Sequence, residues 1–549
     1  MTRRRLFWAL LTAFVLLFLG WMAYIPYRPD RVFEAIPATA TLVSVHRGLA
    51  DEWPTLVRNP VITNLLIAAG VKSNDVAKLA VDPETLSWIQ RLAGRETVLA
   101  YVPSLGYQNR PAWVFASWIG GAETLKLRLQ LPFTRAADFR PVPVEGGRTV
   151  YVTRTKFAQA GQRLSLALVD GMLVGCVSLD PIGARWLLET GDRYPSMPSL
   201  KTSGQLAKAR ALLPDDLPAH WGWLALSGAT DGDAPAADVL AYTLDLTDRR
   251  IGVHVTAVGS LPGASGPLSS PRLAPVTRLL GDSPDLIAVL PLASVSALLL
   301  RTDAPLWLDP VRSILDSNGA PPQALAVVAL LNPGHSSRIR GPLGAALGAL
   351  TKGLKVPTVV AGFQVTSAAD IDTRLDGALD QLNSRYGCSL ARVPALGDDG
   401  AVTLIQELRS GFYSKFEPDE RIACTMSDGW LFFCSNATIL RKRLAAREPS
   451  TVQTPVPMAW TEAATRTHAS AAAWLDLKAA AKSVRDATAT ASLLAIATGG
   501  QDDSKTDWRS TLGVWRQAAD ALQTFEQGSV TVGCSNGLTR LDLVLGSNH

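Results

Sequence analysis

Apolar positions along the chain fall into one long run and many short ones. The long run is residues 6–25, LFWALLTAFVLLFLGWMAYI, which is 20 residues without a formal charge. At about 1.5 Å per residue, a helix of that length matches the roughly 30 Å hydrocarbon layer of a bilayer. Arg3, Arg4 and Arg5 precede the run, and Trp21, Tyr24 and Tyr27 stand at its exit. A basic start favours a cytoplasmic N-terminus, and aromatic side chains favour the membrane interface. Pro26 and Pro29 then stop the helix. A cleaved signal peptide fits less well, because the run is long for its apolar part and bulky residues occupy the place of a small-x-small site. Arg28 and Arg31 weaken the orientation rule slightly. The pattern therefore predicts a cytoplasmic stub and transmembrane anchor over residues 1–28, in contact with the lipid bilayer through residues 6–25. The rest is expected in the periplasm, outside a bacterial inner membrane.

The short runs form two series. In the first, strands are predicted at 40–45, 97–102 and 112–118, with a helix over 51–69. A hairpin turning at Asp170-Gly171 follows, then a helix over 182–190 and a hairpin of 242–246 with 251–258. In the second, strands are predicted at 285–290, 325–330 and 358–364, with a helix over 307–318. A hairpin turning at Asp428-Gly429 follows, then a helix over 437–446 and a hairpin of 529–534 with 538–545. Asp-Gly tolerates the positive φ angles of a tight hairpin turn. The offset of 258 that relates Asp170 to Asp428 also relates Cys176 to Cys434. Between the series, residues 260–275 (SLPGASGPLSSPRLAP) are rich in Pro, Ser and Gly and are expected to be a linker. The fold class expected is α+β: one N-terminal transmembrane helix followed by two repeated mixed α/β modules with largely antiparallel sheets, at 29–259 and 276–549.

A basic N-terminus, one apolar run, Ile36-Pro37 and then a strand resemble a bacterial family of single-pass membrane-anchored envelope proteins, a domain of unknown function. The hairpin Asp-Gly-x-Leu followed by a helix, starting at Asp170 and again at Asp428, is the second shared feature. The resemblance implies location and class and supplies no catalytic residues.

Composition narrows the partners. The net charge is +5, of which Arg3, Arg4 and Arg5 contribute three, so no electrostatic footprint for nucleic acid is present. The basic group Arg441-Lys442-Arg443, with Arg447, is expected to be a solvated helix face. Trp221 and Trp223 have the spacing that places both on one face of a strand, too few for a sugar-stacking platform. The five cysteines are Cys176, Cys388, Cys424, Cys434 and Cys534. They can form up to two disulfides in an oxidising compartment, or stand as small buried hydrophobes. For Cys424 and Cys434 the turn length decides, since a two-residue loop puts them on opposite faces.

Chemistry is sparse. None of His46, His220, His254, His335, His468 and His549 has a second His or Cys three or four residues away, and His-Glu-x-x-His is absent. Gly533-Cys534-Ser535-Asn536-Gly537 matches a nucleophile elbow in letters, but a strand follows where the elbow needs a helix. The Gly-rich stretch 341–353 lacks the Lys-Ser/Thr ending of a phosphate loop. Asp51-Glu52, Asp215-Asp216, Asp398-Asp399 and Asp502-Asp503 are adjacent acids of the kind that solvate turns. No catalytic, cofactor-binding or metal-binding residue is assigned, and no cofactor is expected. The expected function is a membrane-anchored extracytoplasmic interaction or scaffold protein of the bacterial envelope, with an envelope protein as partner. The alternatives are an extracytoplasmic enzyme or a carrier of a lipid or other apolar ligand, with a site between the modules.

Overall fold

Side chains alternate between the two faces of a strand, so a stretch with every second residue apolar buries one face and leaves the other half-wet. This pattern governs most of the chain. The computed structural model of the protein describes residues 25–28, 30–59, 82–106, 110–130, 139–153, 162–190, 197–226, 239–247, 250–259, 267–280, 284–299, 323–335, 356–365, 368–394, 402–408, 421–445, 469–482 and 525–546, with a few isolated positions besides. The chain divides into two units, Met1–Val258 and Gly259–His549.

In unit 1 the strands are β1 (Leu42–Arg47), β2 (Glu96–Leu105), β3 (Arg110–Trp118), β4 (Phe139–Val144), β5 (Arg148–Thr153), β6 (Arg163–Val169), β7 (Met172–Ser178), β8 (His220–Ala225), β9 (Val239–Leu246) and β10 (Arg250–Val258). They lie in the order β10-β9-β8-β1-β2-β3-β7-β6-β5-β4, each pair antiparallel. The helices are α1 (Leu49–Arg58), α2 (Pro83–Leu92), α3 (Gly121–Gln130), α4 (Ala184–Leu188) and α5 (Gly204–Ala211).

In unit 2 the strands are β11 (Pro284–Pro291), β12 (Leu325–His335), β13 (Val356–Gln364), β14 (Leu390–Pro394), β15 (Thr403–Glu407), β16 (Ala423–Ser427), β17 (Trp430–Cys434), β18 (Ala471–Asp476), β19 (Gln527–Ser535) and β20 (Leu538–Gly546). Their order is β20-β19-β18-β11-β12-β13-β17-β16-β15-β14, again antiparallel throughout. Adding ten to each strand number of unit 1 reproduces this order. The helices are α6 (Ser270–Leu280), α7 (Leu292–Leu299), α8 (Ala368–Tyr386) and α9 (Ala437–Ala445).

Three expectations are corrected. The α+β class gives way to an antiparallel sheet architecture: among the described residues twenty strands set the frame, and helices of 5 to 19 residues accompany them. Strands β4, β5, β14 and β15 lie outside the predicted elements; the edge strands β4 and β14 are half-exposed and carry Pro141, Pro143 and Pro394. Within the expected helix 51–69, α1 ends at Arg58, residues 62 and 63 are again helical, and most of the remainder lies outside the described residues, as does 307–318. The transmembrane helix is withdrawn: among the described residues no helix is long and apolar enough to cross a membrane. Most of residues 6–25 lie outside the described residues, and positions 8, 11–14 and 20 do not make a continuous span. The linker 260–275 is helical from Ser270, the start of α6. Pro271 sits in the first turn, where its missing N–H has no helical partner to lose, and Leu273, Val276, Leu279 and Leu280 are buried at helical spacing.

The Asp-Gly hairpins turn on two residues. Val169 pairs with Met172 and Ser427 with Trp430, leaving Asp170-Gly171 and Asp428-Gly429 as the loops. Their φ angles are 45° and 83°, and 50° and 74°, as a type I′ turn demands. The two-residue loop sets Cys424 opposite Phe433 and Cys434 opposite Ala423. The two thiols therefore point to opposite faces, and none of the five cysteines is in a disulfide. Burial raises the Cys176, Cys424 and Cys434 thiols well above their ordinary range, to about 11 for Cys176 and Cys424.

Each sheet has a dry face. In unit 1 Val43, Val45, Val98, Ala100, Val114, Ala116, Val174 and Cys176 pack with Phe33 and Ile36 and with residues of α4 and α5. Trp221 and Trp223 lie in this core, both at 0 % exposure, with Phe33 at 6.3 and 6.2 Å between ring centroids. They are core residues and no surface platform. In unit 2 Ile287, Val289, Val327, Ala329, Trp430 and Phe432 pack with Leu273 and Val276 of α6 and Leu440 of α9.

Candidate functional site

The opposite faces of the two sheets differ from the cores, and from each other. In unit 1 the paired residues Leu224, Leu42, Tyr101, Trp113 and Val177 form one row across β8, β1, β2, β3 and β7. At roughly 4.8 Å per strand this row runs about 19 Å. Tyr101 and Trp113 contact at 5.2 Å between centroids, and Trp113 is 48 % exposed, Leu99 in the next row 40 %. In unit 2 the matching face carries the row Leu475, Leu286, Leu330 and Val359, with Val328 in the next row, and Val328 and Val359 are half-exposed. Helices shield the opposite corner of each face. Leu92 of α2 packs there in unit 1, and Ile371 and Leu375 of α8 pack there in unit 2.

Unit 1 adds polar chemistry. Ser44 and His46 project from β1 onto this face, because Val43 and Val45 between and beside them project into the core. Across the ladder His46 pairs with His220 at the start of β8. Ser44 Oγ lies 2.9 Å from His46 Nε2, and His46 Nδ1 lies 3.0 Å from His220 Nδ1. His220 Nε2 pairs with a carboxylate oxygen of Glu52, which α1 delivers from one turn past β1. Tyr242 of β9 donates its hydroxyl to the Val43 carbonyl at 3.0 Å, above Gly222, where a Cβ would collide with the ring.

Proton placement in this chain follows from its ends. A carboxylate at Glu52 only accepts, so the His220 Nε2 facing it is a donor. With a neutral His220 ring, Nδ1 accepts from His46 Nδ1 and His46 Nε2 is left to accept from the Ser44 hydroxyl; a protonated His220 ring reverses both of these contacts. Burial, followed by the neighbouring His220, pushes His46 down to about 4, so its ring is neutral near pH 7.

A second polar group stands on the core side. Glu96 is fully buried, and it accepts from the Tyr27 hydroxyl at 3.2 Å and from Arg47 Nε at 3.3 Å. Burial and the Glu96 carboxylate raise the Tyr27 hydroxyl above its ordinary range.

The residues singled out in the sequence are distributed as follows. Glu52 joins the His pair, whereas Asp215 and Asp216 are exposed. His254 is half-buried on β10, opposite Thr243. Ser535 pairs with Leu538 across Asn536-Gly537, whose φ angles of 53° and 75° make a hairpin turn, not an elbow. Arg443 of α9 lines a cleft with Arg278 and Asp428, which pair at 3.6 Å. His468, His549, Arg447, Asp398-Asp399, Asp502-Asp503 and the stretch 341–353 lie outside the described residues. Among the described residues no group of three or more His, Cys, Asp or Glu is arranged to hold a metal ion. Ser44, His46 and His220 escaped the sequence search because it sought partners three or four residues apart. The histidines are 174 residues apart and meet only through the β1–β8 register.

No family model matches the chain, and no curated protein matches it. Among solved structures it is similar to TP0453 in two crystal forms. Form I matches with 10% identity and a TM-score of 0.26 over 46% of this chain and 87% of that one. Form III matches with 10% identity and a TM-score of 0.25 over 46% and 88%.

Proposed function

We propose that the protein is an interaction or scaffold protein of the bacterial envelope that docks a protein partner against its half-exposed sheet faces. The observation that supports this reading is the apolar row repeated on the matching face of both units. Scattered exposed apolar residues need no explanation, but aligned ones on a flat face do. Trp113 and Tyr101 give unit 1 the amphipathic aromatic anchors that dominate binding energy at protein interfaces. The extracytoplasmic location belongs to this reading on the strength of the sequence resemblance alone.

The test is site-specific photo-crosslinking in intact cells. A photoreactive residue in place of Trp113, and separately of Val328, is expected to trap one reproducible partner protein. The same residue in place of the exposed Asp216 should not. A cross-linking pattern that is the same at all three positions, or no adduct at Trp113 and Val328, overturns the docking reading.

A further inference from the structure

The geometry points to Ser44 as a nucleophile for acyl transfer from esters with an apolar acyl group, served by His46, with His220 and Glu52 as positioning residues. This goes beyond the docking reading and does not depend on it.

Three observations carry it. The first is the proton order already derived. With both rings neutral, Ser44 donates to His46 Nε2, His46 Nδ1 to His220 Nδ1, and His220 Nε2 to Glu52, over contacts that link all four side chains in one line. A serine hydroxyl whose proton is already directed at a neutral imidazole, with that imidazole held by a second group, meets the geometric requirement for an activated nucleophile.

The second is that the sheet does not need these residues. Matching the registers, Val43 and Val45 correspond to Ile287 and Val289, which face Trp474 and Ala472 as Val43 and Val45 face Trp223 and Trp221. Ser44 then corresponds to Ala288, His46 to Leu290, and His220 to Ala471. Unit 2 builds the same central strands with none of the polar groups. Because unit 2 closes the same strands with Ala288, Leu290 and Ala471, folding does not require the polar groups of unit 1.

The third is the surroundings. Ser44 and His46 are partly accessible rather than sealed. Ser44 sits between Leu99 on β2 and Gly222 on β8, with Leu42 and the exposed Leu224 in the next row. An ester lying along this row would rest its acyl chain on apolar side chains with its carbonyl at Ser44. The Tyr242 hydroxyl, whose proton goes to the Val43 carbonyl, also interacts with Ser44.

The reaction balances without a further reagent than water. Ser44 Oγ bonds to the acyl carbon as its proton passes to His46 Nε2. The adduct expels the alcohol oxygen, which takes that proton. Water then attacks the acyl-serine, giving its proton to His46, and Ser44 leaves with that proton as the carboxylic acid is released.

The probe is an alkyl fluorophosphonate, which a serine of this kind displaces with loss of fluoride, applied to the full chain at pH 7.5. Tandem mass spectrometry is expected to find one adduct, on Ser44. Ser44→Ala should abolish it, and this variant should keep its fold, since unit 2 carries Ala288 at the matching position. His46→Gln should slow labelling by about 100-fold or more. His220→Ala should slow it less and change its pH profile, which a purely structural role would not do. With short-chain and decanoyl nitrophenyl esters, the longer acyl chain should be preferred. No adduct on Ser44 in wild-type protein overturns the proposal, whatever the variants do. So does an adduct whose rate is unchanged in His46→Gln.

Discussion

Units 1 and 2 lay down the same strand order yet fill it differently. On the core face, unit 1 carries Trp221 and Trp223 on β8 and the smaller Val174 on β7. Unit 2 keeps Trp474 at the Trp223 position but has Ala472 at the Trp221 position, and carries Trp430 and Phe432 on β17, stacked at 5.6 Å between centroids. The other face shows the same exchange. Phe115 opposes Gly175 in unit 1, and Ala361 opposes Phe433 in unit 2. Volume across a strand pair is kept while its owner changes, as close packing requires. The polar chain is not exchanged in this way. The matching positions Ala288, Leu290 and Ala471 of unit 2 carry none of the hydrogen-bonding groups that unit 1 has in Ser44, His46 and His220. The comparison separates residues that satisfy the architecture from residues that exceed it.

The strongest test of the exchange is in the cores. Trp221→Ala in unit 1 and Phe432→Ala in unit 2 should each cost about 3–5 kcal/mol, since both side chains are fully buried. Urea denaturation measures this. A cost below about 1 kcal/mol for either would mean the bulk is not held where the packing places it.

A smaller effect concerns the polar chain. His46 is held at about 4 in the folded protein, below the ordinary 6.5. Below pH 6.5 the unfolded chain takes up a proton that the folded chain refuses until about pH 4, so stability is full above 6.5 and falls as pH drops through this window. At about 1.4 kcal/mol per pH unit, unit 1 should lose about 2 kcal/mol by pH 5. His46→Leu, which installs the residue type of Leu290, should remove that loss. A wild-type unfolding midpoint equal at pH 7.5 and pH 5 would count against it.

The smallest effect contrasts the turns. Gly171→Ala and Gly429→Ala both force a methyl group into positive φ, at a cost of about 1 kcal/mol. At Gly171 the new Cβ also meets the Trp118 ring at 3.1 Å, whereas at Gly429 its nearest neighbour is the Val365 carbonyl oxygen at 3.9 Å. Gly171→Ala should therefore lower the thermal midpoint more. Equal shifts would show that Trp118 gives way freely.

The hairpins were legible in the sequence because their signals are local. Asp-Gly between apolar runs specifies turn and register within a few residues, and the Cys424 and Cys434 faces follow from it. The class was misread because the edge strands β4 and β14 carry prolines and little alternation, so part of the sheet has no strand signal. Prolines likewise concealed α6, whose buried face Leu273, Val276 and Leu279 lay in a stretch judged by composition. The polar chain was illegible for a different reason. Each of its members is ordinary alone, and only the pairing of strands far apart in the chain makes them neighbours.

That separation also sets the order of events while the chain is being made. β1 occupies the middle of its sheet, yet one of its two partners, β8, follows 174 residues later, as His46 and His220 show. At roughly 5–20 residues per second, ribosomes take about 10–30 s to supply it. During that interval β1 offers an open edge with backbone groups that any passing strand can pair with. The fold thus carries a built-in waiting period in which a nascent chain is most exposed to mispairing or best served by a chaperone.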